Sequence, residues 1–251
     1  MVIPIHDRNP VRRAPVVTYV IIALNFAVFL VQPIAFSSLG GGVNTAQACR
    51  QEAFFRRWGA IPRELLSNEQ LPETVLAPAG PEHCLVGPPD YEKQPVVSAV
   101  TATFLHGGWL HLLGNMLFLF VFGNNVEDRL GRVRFLLSYV GWGLIATYLF
   151  ALTVSGSTGV VVGASGAVAG VLGAYLVLFP RARVTSLVPF LFFIPLPLPA
   201  WVVLGSWFLL QALYSIGPGV TEGAGVAYLA HVAGFVAGFV AAKLYGKRRA
   251  A

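Results

Sequence analysis

Charge is scarce in this chain. Asp, Glu, Lys and Arg make up only 11% of the 251 residues, against roughly 25% in soluble domains, which excludes an ordinary water-soluble globule. Cysteine is limited to Cys49 and Cys84, too few for a disulfide scaffold or a four-cysteine zinc site. No His-Glu-x-x-His occurs, and His106-x4-His111 has the wrong helical spacing for two ligands on one face. A metal protease is therefore disfavoured, and neither metal nor cofactor is expected. The net charge of +6 and pI near 9.6 come without a basic stripe interleaved with aromatics, so nucleic acid is not an expected partner. Repeat symmetry and midplane charges are missing too, which argues against a small-molecule transporter.

What is abundant is apolar sequence. Hydrophobic residues reach 56%, and mean hydropathy is +0.69. The stretch from Phe135 to Pro180 has no charged residue, which is about twice the ~20 residues that cross a bilayer as a helix. It must turn back once, and Ser155-Gly-Ser-Thr-Gly159 is the place. The uncharged runs predict six spans, roughly 15–36, 108–127, 135–154, 164–180, 200–216 and 224–242. The first is too long for a signal-peptide core and lacks a small-x-small cleavage site, so it reads as a retained span. The expected fold is an all-α membrane protein, a six-transmembrane-helix bundle with a long external first loop at 37–95. It forms one domain over 1–251, with a cytoplasmic N-terminus at 1–14 and a basic cytoplasmic tail at 243–251. Pro189, Pro195, Pro197 and Pro199 make the start of the uncharged run from Val184 an interfacial or re-entrant piece. The short fifth span after it is loosely anchored, and with the Gly-rich loop following Ser215 it is expected to serve as gate and cap.

Lys and Arg set the orientation. With the N-terminus inside, 12 of the 17 basic residues fall on the inner side, and the other five lie in the first loop among seven acidic ones. Both termini then face the cytoplasm of a multi-pass protein, with the plasma or inner membrane as its expected location. The terminal Lys247-Arg248-Arg249 reads as an anchor to anionic lipid. Cys49 and Cys84 share the external loop, where pairing and free thiols are both open. In the same loop, Gln51 to Pro62 mixes aromatics with arginines at helical spacing, suiting either an interfacial helix or one packed on the spans.

Polar groups inside spans are costly and point to function. Ser165 lies in Val162-Gly-Ala-Ser-Gly-Ala-Val-Ala-Gly170, a segment of small residues that also suits plain close helix packing. His111 and Asn115 are i and i+4 on one helix face, and His231 lies in the last span. Counted from Arg129, Arg181 and Lys243 at 1.5 Å per residue, His111, Ser165 and His231 sit roughly 27, 24 and 18 Å up, on the outer side of the midplane. Gly166-x3-Gly170 and Ala230-x3-Gly234-x3-Gly238 give the fourth and sixth helices small faces that bring them together. Side by side, these helices put His231 within reach of Ser165, a nucleophile and its base.

These residues also carry a resemblance. Phe104-Leu-His106-Gly-Gly-Trp-Leu-His111-Leu-Leu-Gly-Asn115, Glu127-Asp-Arg129-Leu-Gly131, Gly163-Ala-Ser165-Gly166 and Ala230-His231-Val-Ala-Gly234 resemble, in order, the motifs of bacterial-type rhomboid intramembrane serine proteases. The resemblance implies a Ser165–His231 dyad with no acidic third member. It also implies an oxyanion hole of His111, Asn115 and the Ser165 backbone N–H, and transmembrane protein substrates cut near the external side. It departs from many relatives at Ala169, where they carry an aromatic residue packed on the histidine ring. His106 reads as structural, and Glu127 and Arg129, two apart in a turn at the inner edge, read as a hydrogen-bonded brace. A rhomboid-like pseudoenzyme that binds transmembrane segments is the competing reading, although such proteins usually lack the serine or the histidine.

Overall fold

The computed structural model describes residues 2–34, 44–79, 83–189, 192–216 and 227–250, with side chains as far as Tyr245. The expected cap loop at 217–226 and the Lys247-Arg248-Arg249 side chains lie outside the described residues. The chain divides into two compact units with interleaved segments: Met1–Ala23, Leu113–Phe150 and Ser165–Ala251 form one, Leu24–Leu112 and Ala151–Ala164 the other.

Helices dominate. They are α1 (Val16–Val31), α2 (Thr45–Trp58), α3 (Pro62–Ser67), α4 (Pro95–Thr101), α5 (Trp109–Phe118), α6 (Asn124–Leu130), α7 (Arg132–Thr153), α8 (Ser165–Leu178), α9 (Ala200–Ile216) and α10 (Tyr228–Ala250). A π-helical turn at Leu119–Gly123 joins α5 to α6, so Trp109–Leu130 runs as one rod. Trp109–Leu130, Arg132–Thr153 and Tyr228–Tyr245 are long and apolar enough to cross a membrane. Val16–Val31, Ser165–Leu178 and Ala200–Ile216 are apolar but shorter. This is a helical membrane protein, and these six helices fall on the six apolar stretches of the sequence.

The expectation of an all-α fold needs correction. Strands β1 (Ile3–Asp7), β4 (Arg183–Val188) and β5 (Ile194–Pro199) form an antiparallel sheet in the order β1-β4-β5, and β2 (Thr74–Pro78) pairs with β3 (Cys84–Gly87). The prolines that argue against regular structure at 189–199 are compatible with β5 because it is an edge strand. Pro195, Pro197 and Pro199 stand opposite Leu187, Thr185 and Arg183, every second residue. Their missing N–H groups all belong to the side facing away from β4, while Ile194, Leu196 and Leu198 keep theirs.

In the first unit, α8 is the central helix, with every residue from Ala167 to Tyr175 buried. Its glycines explain the packing. A Cβ on Gly170 would come within 2.5 Å of Trp142 Cβ in α7, and one on Gly234 or Gly238 of α10 would land on the carbonyl of Gly166 or Gly170. The two backbones therefore touch, as small-residue faces allow in membranes. At the far end of α8, the buried Asp7 of β1 accepts hydrogen bonds at Oδ2 from Tyr175 Oη at 2.5 Å and from Asn125 Nδ2 at 2.7 Å. Burial raises its carboxyl above the ordinary value of 3.8, and these bonds offset part of the rise.

Glu127 does not brace Arg129. Its carboxylate accepts from the backbone N–H groups of Val17 at 3.0 Å and Thr18 at 2.7 Å, and from Thr18 Oγ1 at 2.8 Å. It thereby satisfies the otherwise unpaired first-turn donors of α1 and places an anion at the positive end of that helix. Gly123, one turn before Glu127, leaves room for Thr18.

In the second unit, Cys49 of α2 and Cys84 of β3 are joined in a disulfide, settling a question the sequence leaves open. Lys93 Nζ meets Glu64 Oε2 at 2.6 Å, with both side chains almost fully buried, and donates to the Arg56 carbonyl at 2.7 Å. Burial lowers the Lys93 ammonium below its usual 10.5, an effect that Glu64 opposes.

Candidate active site

The approach to Ser165 is pinned within the second unit. Ala60 and Val161 exchange backbone hydrogen bonds of 3.1 and 2.7 Å, and Gly163 N–H donates to Ala102 O at 2.9 Å. Gly163 has φ 121, in the region where a Cβ is strained, so the glycine two residues before the serine is what lets the chain turn there. Helix α8 then starts at Ser165 itself. A residue in that position leaves its backbone N–H without an intrahelical partner.

Within the first unit, Ser165 Oγ lies 2.8 Å from His231 Nε2, and His231 Nδ1 lies 2.8 Å from Gln211 Oε1. The amide oxygen of Gln211 only accepts, so Nδ1 carries the proton and Nε2 turns its lone pair to the serine hydroxyl. That polarity suits removal of a proton from Ser165. Gln211 of α9 is buried, at 7% exposure, and the sequence reading missed it. The signal was present: an amide inside an apolar span obeys the same rule that singles out Asn115.

Ala169 leaves no ring for the imidazole and is itself fully buried, next to the point where α10 crosses at Gly234. Aromatic neighbours come from elsewhere. The Trp207 ring is 6.0 Å from that of His231 and inclined by 33°, and Tyr228 is edge-on at 6.2 Å.

Asn115 is 8% exposed, and its Nδ2 is buried without a hydrogen-bond partner. An unmade hydrogen bond of this kind costs free energy and marks a group held ready for something else. In the second unit, His111 Nδ1 accepts weakly from Gly107 N–H at 3.4 Å, and its ring stands edge-on to His106 at 5.0 Å. His106 is fully buried, and Gln32 clamps its backbone by accepting from its N–H at 3.2 Å and donating to its carbonyl. Burial, assisted by the neighbouring His111, pushes the His106 ring down to about 4, so it is neutral at physiological pH.

Ser165 and His231 thus meet in a hydrogen bond among the apolar helices α8, α9 and α10. A family model described as "Rhomboid domain" matches residues 93–248, and the chain belongs to the rhomboid family. It is 43% identical over 77 residues to "Putative rhomboid protease YdcA" of Bacillus subtilis (strain 168), covering 31% of this chain and 38% of that protein. Identity to "Rhomboid protein 1, mitochondrial" of Saccharomyces cerevisiae (strain ATCC 204508 / S288c) is 33% over 155 residues, or 60% and 41% of the two chains. With "RHOMBOID-like protein 5" of Arabidopsis thaliana it is 43% over 77 residues, 31% and 25%. The chain thus spans from a quarter to two fifths of the length of these curated relatives.

Proposed function

We propose that this protein is an intramembrane serine endopeptidase that cleaves transmembrane segments of other membrane proteins near the external face. The observation that carries the reading is the 2.8 Å contact between Ser165 Oγ and His231 Nε2 inside an apolar bundle. Ser165 Oγ attacks the scissile carbonyl carbon while its proton passes to His231 Nε2. The developing oxyanion is held by the Ser165 backbone N–H, Asn115 Nδ2 and His111, which lies one turn before Asn115 on the same helix. His231 then gives the proton to the leaving amine as the C–N bond breaks. Water attacks the acyl-enzyme, yielding its proton to His231, and the hydroxyl of Ser165 is restored. Membrane lipid is the surrounding partner, and no metal or cofactor takes part.

The same reading includes six spans within one domain, the 37–95 segment outside, both termini in the cytoplasm and residence in the plasma or inner membrane. It favours substrates whose helices carry breakers near the cut, because a helix satisfies its own backbone and must unwind before attack. The test is to incubate purified protein with a panel of transmembrane segments alongside Ser165→Ala and His231→Ala. Both variants should be folded and inactive, since the pair acts as a unit, and a fluorophosphonate should label Ser165 alone. Wild-type turnover in either variant refutes the dyad. Binding of segments without cleavage by the wild type would establish the pseudoenzyme instead.

A further inference from the structure

Resting on that reading, we propose that helix α9 supplies the orientation of the catalytic histidine, with Gln211 and Trp207 as positioning residues, so that the dyad is set only while α9 is docked. Relatives that carry an aromatic four residues after the serine hold the imidazole from the serine's own helix. Here that position is Ala169, and the imidazole meets a hydrogen-bond acceptor and an indole ring from α9, beside the edge-on Tyr228 of α10.

The first constraint is the hydrogen bond from His231 Nδ1–H to Gln211 Oε1 at 2.8 Å. It selects one tautomer and fixes rotation of the ring about its bond to the side chain. Burial of Gln211 in an apolar bundle keeps water from competing for Nδ1, which strengthens the bond and makes its loss costly. The second constraint is the Trp207 indole, one turn before Gln211 on the same face. Trp207 is braced on its other contacts by Phe235 at 6.1 Å, four residues beyond His231 in α10, and by Phe118 at 6.3 Å. The imidazole therefore meets a hydrogen-bond acceptor and a ring that move together.

Geometry gives the consequence. Displacing α9 by more than about 1 Å takes the Nδ1 contact out of the 2.7–3.2 Å range of a good N–H···O bond. The imidazole is then free to present a protonated Nε2 to Ser165, where it no longer accepts the hydroxyl proton. Opening of α9 to admit a segment and activation of the serine exclude each other, and redocking switches the nucleophile on.

The experiment measures the rate of fluorophosphonate labelling at Ser165, which needs an activated serine but no identified substrate. Gln211→Met keeps the length of the side chain without its acceptor and should slow labelling by about 10- to 100-fold. Gln211→Glu offers an acceptor oxygen in either protonation state and should stay within about threefold of wild type. The 15N spectrum of histidine-labelled protein, with the His231 signal assigned by its loss in His231→Ala, should show a single Nδ1–H tautomer in wild type and a mixture in Gln211→Met. Labelling of the Met variant at the wild-type rate, or a Glu variant as slow as Met, overturns the proposal. If Gln211→Met does not fold, a wild-type spectrum without the Nδ1–H tautomer overturns it equally. If the wild type is not labelled at all, the proteolytic reading fails on its own, while the tautomer still decides the role of Gln211.

Discussion

Replacing Gly234 by alanine adds one methyl group at the closest approach of α8 and α10, three residues after His231. The new Cβ would land on the Gly166 carbonyl oxygen, with the carbonyl carbon 3.0 Å away. Carbon atoms prefer about 3.5–4.0 Å, so even the more distant of the two atoms requires the helices to part by roughly 0.5–1 Å. The Ser165–His231 contact is next to this point, and adding that separation to its 2.8 Å carries it beyond the 2.7–3.2 Å range of a working hydrogen bond. Overpacking should also lower stability by about 1–3 kcal/mol, and loss of general-base function should slow fluorophosphonate labelling by about 10²-fold or more. Gly238→Ala meets the Gly170 carbonyl in the same way, but seven residues from His231, roughly 10 Å along the axis. It should cost comparable stability and less activity. Gly141→Ala, where a Cβ meets nothing within 4 Å, is the control and should change neither. The assay is labelling rate set beside thermal stability for the three variants. Gly234→Ala labelled as fast as Gly141→Ala would refute the claim that the backbone contact sets the distance between the two side chains.

Asn115→Ala should leave a folded protein with turnover reduced by about 10²–10³-fold, the usual cost of one oxyanion donor, and His111→Ala should act in the same direction. Unchanged rates in both would move the oxyanion hole elsewhere. Burial raises the Asp7 carboxyl, so between 3.8 and its raised value the folded state binds more protons than the unfolded state. Stability should fall as pH rises through that window, and thermal unfolding from about pH 3 to 7 should lose this slope in Asp7→Asn. Lys93→Met leaves Glu64 buried and unpaired and should destabilise the second unit by about 3–5 kcal/mol. The double variant Lys93→Met/Glu64→Leu should recover much of that loss in chemical denaturation.

The parts of the site that were legible in the sequence are those governed by local rules. Ser165, His111, Asn115 and His231 stand out because each is a polar side chain that an apolar span has to justify. Gly166, Gly170, Gly234 and Gly238 stand out because small residues at a spacing of four form a helix face. These two signals suffice to bring α8 and α10 together with the serine and histidine at one level. The helix beginning at Ala200 was also legible, since the prolines before it stop abruptly there.

What escaped the reading depends on partners far apart in the chain. Glu127 looks like half of a local pair with Arg129, yet it caps a helix whose first-turn donor Val17 lies 110 residues earlier. Nothing in its neighbours announces that. Strand β5 was hidden for a related reason: Pro195, Pro197 and Pro199 rule out a central strand but not an edge. Only the register with β4, itself paired to Ile3–Asp7, shows which edge is meant. Gln211 lies between these cases. As a buried amide it was visible, but its role depends on lying 20 residues before His231 across a connection whose length does not determine register. The departure at Ala169 was the better clue, because removing the ring from one helix creates a need that another element must meet. Gln211 and Trp207 of α9 meet the imidazole where Ala169 offers no ring.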